Sequence, residues 1–174
     1  MAVREIIYLP DAVLRRKARP IQDFGQDLQT LIDDMVETLR DAPGVGLAAP
    51  QVGVSQRVIV VEYGEEEEAP PKLYTLVNPE ITRRAEETIM GVEGCLSIPG
   101  LVGDVVRPVS VTVKGQSRQG QPMKLKADGW LARIIQHEID HLDGVLYPDI
   151  AERVYEPIAE EEDEEAEPTP KPEI

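Results

Sequence analysis

The chain reads as an α+β protein. Antiparallel-rich sheets are expected to pack around a central helix carrying the stretch HEIDH, with an amphipathic helix nearer the N-terminus. Three observations predict this class. Apolar residues in 25–41 recur at helical spacing. Short β-branched runs punctuated by Gly and Pro fill 57–115. A second helical stretch follows at about 128–142, so the order is helix, several strands, helix, with no visible repeat.

The first helix is set by Leu28, Leu31, Ile32, Met35, Val36 and Leu39, at offsets 0, 3, 4, 7, 8 and 11. These line one face, and Pro43-Gly44 ends the pattern. GVGLAAPQVG (44–53) reads as a tight loop after the helix. It lacks the strand, third glycine and opening helix of a dinucleotide fingerprint. RVIVVEY (57–63) and LYTLVNP (73–79) are strand-like, and the acidic run GEEEEAPPK (64–72) joins them as a hairpin-type loop. LVGDVVRP (101–108) and VSVTVKG (109–115) continue the sheet, and SRQGQPM (117–123) turns into KLKAD. In the last helix Leu131, Ile135 and Leu142 lie opposite the histidine side, where Ile134 also sits. A helix apolar on both sides is buried, so imidazoles on it need a reason to be there.

Bulk properties bound the function. A chain of 174 residues suits one domain. The division expected is a single folded domain over 1–150 and an acidic, Pro-rich tail over 151–174. AEEEDEEAEPTPKPEI (159–174) cannot bury apolar area and reads as disordered. No apolar run approaches the roughly 20 residues that cross a bilayer, so no membrane partner is expected. MAVREIIYLPD is no secretory leader, which makes the cytoplasm the expected location. One cysteine, Cys95, permits no intrachain disulfide and agrees with a reducing compartment. Of the net charge of −15, residues 156–174 carry −8 and residues 1–155 carry −7. Neither part is a surface that seeks nucleic acid phosphates, so no direct nucleic acid partner is expected.

The chemistry concentrates in QHEIDHLDG. His137 and His141 are i and i+4 on one helix face, spaced to grip one ion, and Glu138 stands one step round, able to reach a water beside it. They are the only two histidines in 174 residues, and both fall in one five-residue window. Cys95, in GVEGCLSIPG, is either a buried small hydrophobe or a thiolate ligand. Two imidazoles and one thiolate make three protein ligands. Structural zinc sites use four, whereas three plus an open position is the count of a catalytic site. Gln51 is the side chain of the 44–53 loop able to donate a hydrogen bond to a substrate carbonyl oxygen.

Taken together, GVGLAAPQ (44–51), EGCLS (93–97) and QHEIDH (136–141) resemble the three motifs of the peptide deformylases, in that family's order. The likeness covers about 1–150. It is specific, because other His-Glu-x-x-His hydrolases usually take their third ligand downstream of the helix. The resemblance implies an enzyme that removes the N-formyl group from the N-terminal methionine of new polypeptides and releases formate. It implies Cys95, His137 and His141 as metal ligands, with Fe(II) first and zinc, nickel or cobalt accepted. Glu138 would be the general acid/base, and Gln51 with the Leu96 amide would hold the oxyanion. Val45, Gly46 and Gly94 would line the channel for N-formylmethionyl peptides of nascent chains, pairing to them like an added strand. A monomer working in transient proximity to the ribosome is expected. The basic C-terminal helix by which some members dock there has no counterpart in this acidic tail. A non-catalytic binding protein and a general metallopeptidase are the competing readings. Trp130, near the methionine pocket, is expected to narrow or cap it. Arg133 is expected to point outward on its apolar stem, and Arg107 to pair with Glu93 and brace the Cys95 loop.

Overall fold

A computed structural model describes residues 1–158. Helical periodicity becomes α1, Gln26–Asp41, and the six predicted apolar residues are all buried on it. Strand β1 (Gly46–Ala48) and a single 3-10 turn (Ala49–Val52) follow, where the sequence suggested only a loop. Three residues are too few to show alternation, and Gly46 argues against a strand on propensity. β2 (Val58–Tyr63) and β3 (Lys72–Arg84) form the expected hairpin across the acidic loop. β4 (Thr88–Cys95) and β5 (Ile98–Pro108) form a second hairpin, turning at Leu96–Ser97. β6 (Ser110–Gln116) and β7 (Pro122–Asp128) lead into α2, Gly129–Leu142, which is followed by the short α3 (Tyr147–Ile150) and β8 (Arg153–Tyr155).

The strands form two antiparallel sheets, ordered β1-β2-β3-β6-β7 and β4-β5-β8. Burial explains the unbroken apolar run of β2. Ile59 and Val61 pack with Leu131, Ile134, Ile135 and Leu142 of α2, while Val58 and Val60 pack with Leu28, Ile32 and Met35 of α1. Alternate residues thus face opposite helices, and both faces of the strand lie in core. A third cluster lies against the smaller sheet, gathering Cys95, Val13, Leu14, Ile98, Val105, Leu146 and Tyr147. α2 ends where Gly144 turns left-handed (φ 74°). Gly144 N–H donates to His141 O and Val145 N–H to Asp140 O, so the carbonyls of the last turn are satisfied.

The tail begins later than the expected boundary at 151. β8 pairs with β5, Tyr155 opposite Val102 and Arg153 opposite Asp104, and Tyr155 donates from its hydroxyl to Asp104 Oδ1 at 2.8 Å. Three paired residues amid acids leave no periodic trace in the sequence. The disorder expected for 159–174 lies outside the described residues. Among the described residues, no helix is long and apolar enough to cross a membrane.

Candidate metal centre

Two chain segments meet at one point. Cys95 ends β4, where the β4–β5 register shifts, and His137 and His141 come from adjacent turns of α2. Their ligand atoms all lie within 4.8 Å of one another, and all three residues are buried. Cys95 Sγ stands 3.3 Å from His141 Nε2. His137 Nε2 is buried with no hydrogen-bond partner. A buried imidazole nitrogen left unpaired is costly unless something binds it.

Glu93 sets the state of His137. Burial pushes the Glu93 carboxyl up, but its bonds to Arg107 and His137 hold it down at about 2. As a carboxylate it can only accept, so His137 Nδ1, 2.9 Å from Glu93 Oε1, must carry the proton. That tautomer turns the Nε2 lone pair into the cluster. Burial pushes His137 down, yet the Cys95 sulfur, Glu93 and Glu138 raise it to about 10. His141 goes the other way, lowered by burial and by the charge on His137. Two buried imidazoles and a buried thiol converge, with His137 Nε2 unpartnered, and such imidazole and thiolate donors suit a borderline divalent cation. The residues fit a metal ion.

Arg107 meets the expectation, with Nε 2.6 Å and Nη2 2.8 Å from the Glu93 oxygens, and Nη1 2.8 Å from Asp140. Arg133 does not. It was expected on the surface, but it is 4% exposed. It donates to Glu93 Oε2 at 2.7 Å and to the carbonyls of Val105 (2.9 Å) and Ile89 (2.7 Å). Three acceptors from the β4–β5 hairpin outweigh the cost of taking its charge out of water. Gly91 makes room for it, since a Cβ there would stand 2.8 Å from its guanidinium carbon. Trp130 packs half-buried against the α2 core, with that guanidinium carbon 5.5 Å from its ring centre.

Glu138 is 1% exposed, and neither carboxylate oxygen has a partner. Burial raises it to about 7. Gly46 makes its space, since a Cβ there would stand 2.6 Å from Glu138 Oε1. Gln51 is held at its far atom, where Oε1 accepts from Ala48 N–H at 2.9 Å. Its Nε2 therefore faces Ser97 Oγ (3.2 Å) and Cys95 Sγ (3.6 Å). Leu96 sits in the turn after Cys95, its side chain crowding the Cβ position of Gly44 at 2.9 Å. Val45 lies just before β1 and Gly46 begins it, β1 being an edge strand of the larger sheet. Gly94 lies near the end of β4, an edge strand of the smaller one.

Beyond the motifs and Arg107, two further residues contact the site. Arg133 is one; its sequence signal is no different from that of any charged helix residue. Tyr147 is the other. Its ring stacks 6.2 Å from that of His137, and its buried hydroxyl has no partner. Burial, with Cys95 and Glu93 nearby, pushes that hydroxyl up to about 12.

Comparison with known proteins gives the family and the fold. The sequence model of a family described as polypeptide deformylase matches residues 3–156. A peptide deformylase of Symbiobacterium thermophilum is 52% identical over 169 residues, covering 96% of this chain and 76% of that protein. The crystal structure of a peptide deformylase from Legionella pneumophila superposes with a TM-score of 0.80 at 46% identity, covering 86% of each chain. One from Synechococcus elongatus, in complex with actinonin, gives 0.80 at 46% identity, covering 86% of this chain and 80% of that one.

Proposed function

Because the chain belongs to the peptide deformylase family, we propose that Cys95, His137 and His141 hold one divalent metal ion and that Glu138 moves the protons of the family's reaction. The enzyme is a metal-dependent hydrolase that takes the N-formyl group off the formyl-methionine beginning a new polypeptide. Water adds to the formyl carbon, the C–N bond breaks, and formate and a free α-amine leave. The observation that carries the site assignment is a buried, unpartnered Glu138 carboxylate beside three converging ligand atoms.

Held by Cys95, His137 and His141, the ion would supply Lewis acidity for the hydrolysis. Glu138 takes the proton from that water and gives it to the departing nitrogen. A carboxyl raised to about 7 can do both near neutral pH. Gln51 Nε2 and the Leu96 N–H donate to the oxygen that gains negative charge, and one such donor is worth about 3 kcal/mol in the transition state. Glu93, braced by Arg107 and Arg133, keeps His137 in its ligating tautomer. Val45, Gly46 and Gly94 take the peptide by strand addition, which the free edges of β1 and β4 support. A formyl group carries only hydrogen beyond its carbonyl, so a narrow site rejects ordinary peptide bonds by shape.

The finer reading is Fe(II) as the physiological ion, with zinc, nickel or cobalt able to replace it, since imidazole and thiolate suit them all. The protein acts as a cytoplasmic monomer in transient proximity to the ribosome, without direct contact to nucleic acid or membrane, and residues 1–150 hold the catalytic machinery. Formate release from formyl-Met-Ala-Ser tests the function. Protein freshly loaded with Fe(II) or Ni(II) should release formate and leave the peptide bonds intact. No formate would mean a binding protein, and cleaved peptide bonds a general metallopeptidase. Gly46→Ala should lower kcat about a hundredfold by displacing the Glu138 carboxylate, with metal content unchanged. A fully active Gly46→Ala enzyme would show that Glu138 works from another position.

A further inference from the structure

The two donors assigned to the oxyanion come from different sheets. Gln51 follows β1 of the five-stranded sheet, and Leu96 follows β4 of the three-stranded one. Neither sheet's own hydrogen-bond ladder fixes the distance between them. An N-terminal segment bridges that gap. Ile7 N–H donates to the carbonyl of Gln51 at 2.7 Å, and Leu9 N–H donates to the carbonyl of Ser97 at 3.1 Å. The side chains of those same two acceptors are joined by the Gln51 Nε2 to Ser97 Oγ bond. Two residues of chain span at most about 7 Å, so the bonds close a small ring around the working end of Gln51.

The segment is fastened at its other end. Ala2 N–H donates to Asp34 Oδ1 at 2.9 Å, Arg4 N–H to Thr38 Oγ1 at 2.8 Å, and Arg4 Nε to Asp34 Oδ2 at 2.9 Å, all on α1. Between the two ends, the side chains of Ile7 and Leu9 pack against the apolar cluster that contains Cys95. None of residues 2–9 belongs to the three motifs, and none carries chemistry of its own toward the site.

We propose that residues 2–9 are a strap whose Ile7 and Leu9 amides position Gln51 against the Cys95–Ser97 turn, which makes Ile7 and Leu9 positioning residues for deformylation. The inference rests on Gln51 being an oxyanion donor. Transition-state donors must be held to within about 0.5 Å to be effective, and a donor pair drawn from two sheets needs a tie between them. The strap is that tie. It acts on the transition state and leaves the ground-state affinity for peptide alone.

A double-mutant cycle tests it on the metal-loaded, full-length enzyme. Gln51→Ala alone should lower kcat about a hundredfold. Ile7→Pro removes the one N–H that holds Gln51 O. It should lower kcat about tenfold with KM and metal content unchanged, yet less than twofold when Gln51 is already alanine. An equal loss in both backgrounds, or no loss in the first, would overturn the strap while leaving Gln51 in its role. If Gln51→Ala is itself fully active, the oxyanion assignment falls and the strap falls with it. Should Ile7→Pro not fold, Asp34→Ala removes two of the three bonds to α1, those of Ala2 N–H and Arg4 Nε, leaving only Arg4 N–H on Thr38 and not touching Ile7. It should show the same non-additivity at smaller amplitude, and an additive loss would again overturn the proposal.

Discussion

Glu138→Ala is expected to keep the metal and lose nearly all turnover. A positioned general acid/base contributes about 10²–10⁴-fold, and here one carboxyl serves both proton transfers. Removing it withdraws no ligand, because Cys95, His137 and His141 supply the ion's donors. It also removes a carboxylate that is 1% exposed and makes no hydrogen bond. Such a group costs stability in the folded state, so the variant should melt no lower than the wild type and purify as an ordinary folded protein. Cys95→Ala is the contrast, since it should fold but lose the ion, because two imidazoles alone make a weak site. Metal analysis of protein purified without oxygen, with kcat measured on the same samples, separates the two variants. Metal lost from Glu138→Ala, or kept by Cys95→Ala, would show that the ligand set is misassigned. A Glu138→Ala enzyme within tenfold of wild-type kcat would remove Glu138 from the reaction.

How far the sequence discloses this site depends on which physical signal each residue leaves. His137, His141 and Cys95 are legible because their chemistry is scarce in this chain: two histidines and one cysteine, with the histidines four apart on a helix. The α1 face is legible because one side of the helix meets solvent. β2 gives no alternation, since α1 covers one of its faces and α2 the other. β1 and β8 have three residues each, too few for any period to show. Arg133 is misread for a different reason. A helix position facing a core is expected to be apolar, and only the distant carbonyls of Ile89 and Val105, with Glu93, make a guanidinium tolerable there. Those partners are brought in by the β4–β5 hairpin, 28 to 44 residues away along the chain, and no local pattern announces them. The strap escapes for a like reason: its bonds run from backbone amides, which any sequence possesses.

Glu93→Gln should be the most destabilising single change at the site. One carboxylate, fully buried, accepts from Arg107 twice, from Arg133 and from His137. The amide keeps the shape but has one acceptor oxygen where there were two, and no charge. Two guanidiniums, each about 4% exposed, then lose the anion they share, and only Arg107 keeps another carboxylate, that of Asp140. Breaking a buried pair from one side typically costs about 3–5 kcal/mol, which for a domain of this size lowers Tm by roughly 10 °C. Metal affinity should fall about 10–100-fold as well, because His137 loses the anion that fixes its tautomer. The pH dependence gives an independent check with a definite sign. The Glu93 carboxyl is held at about 2 in the folded protein, below its ordinary value of 4.5. Its contribution is therefore complete above about pH 4.5 and disappears as pH falls toward 2. Acid should erase much of the stability gap between wild type and Glu93→Gln over that window, and a gap that stays constant down to pH 2 would mean that the carboxylate's charge is not what holds the two arginines and His137 together.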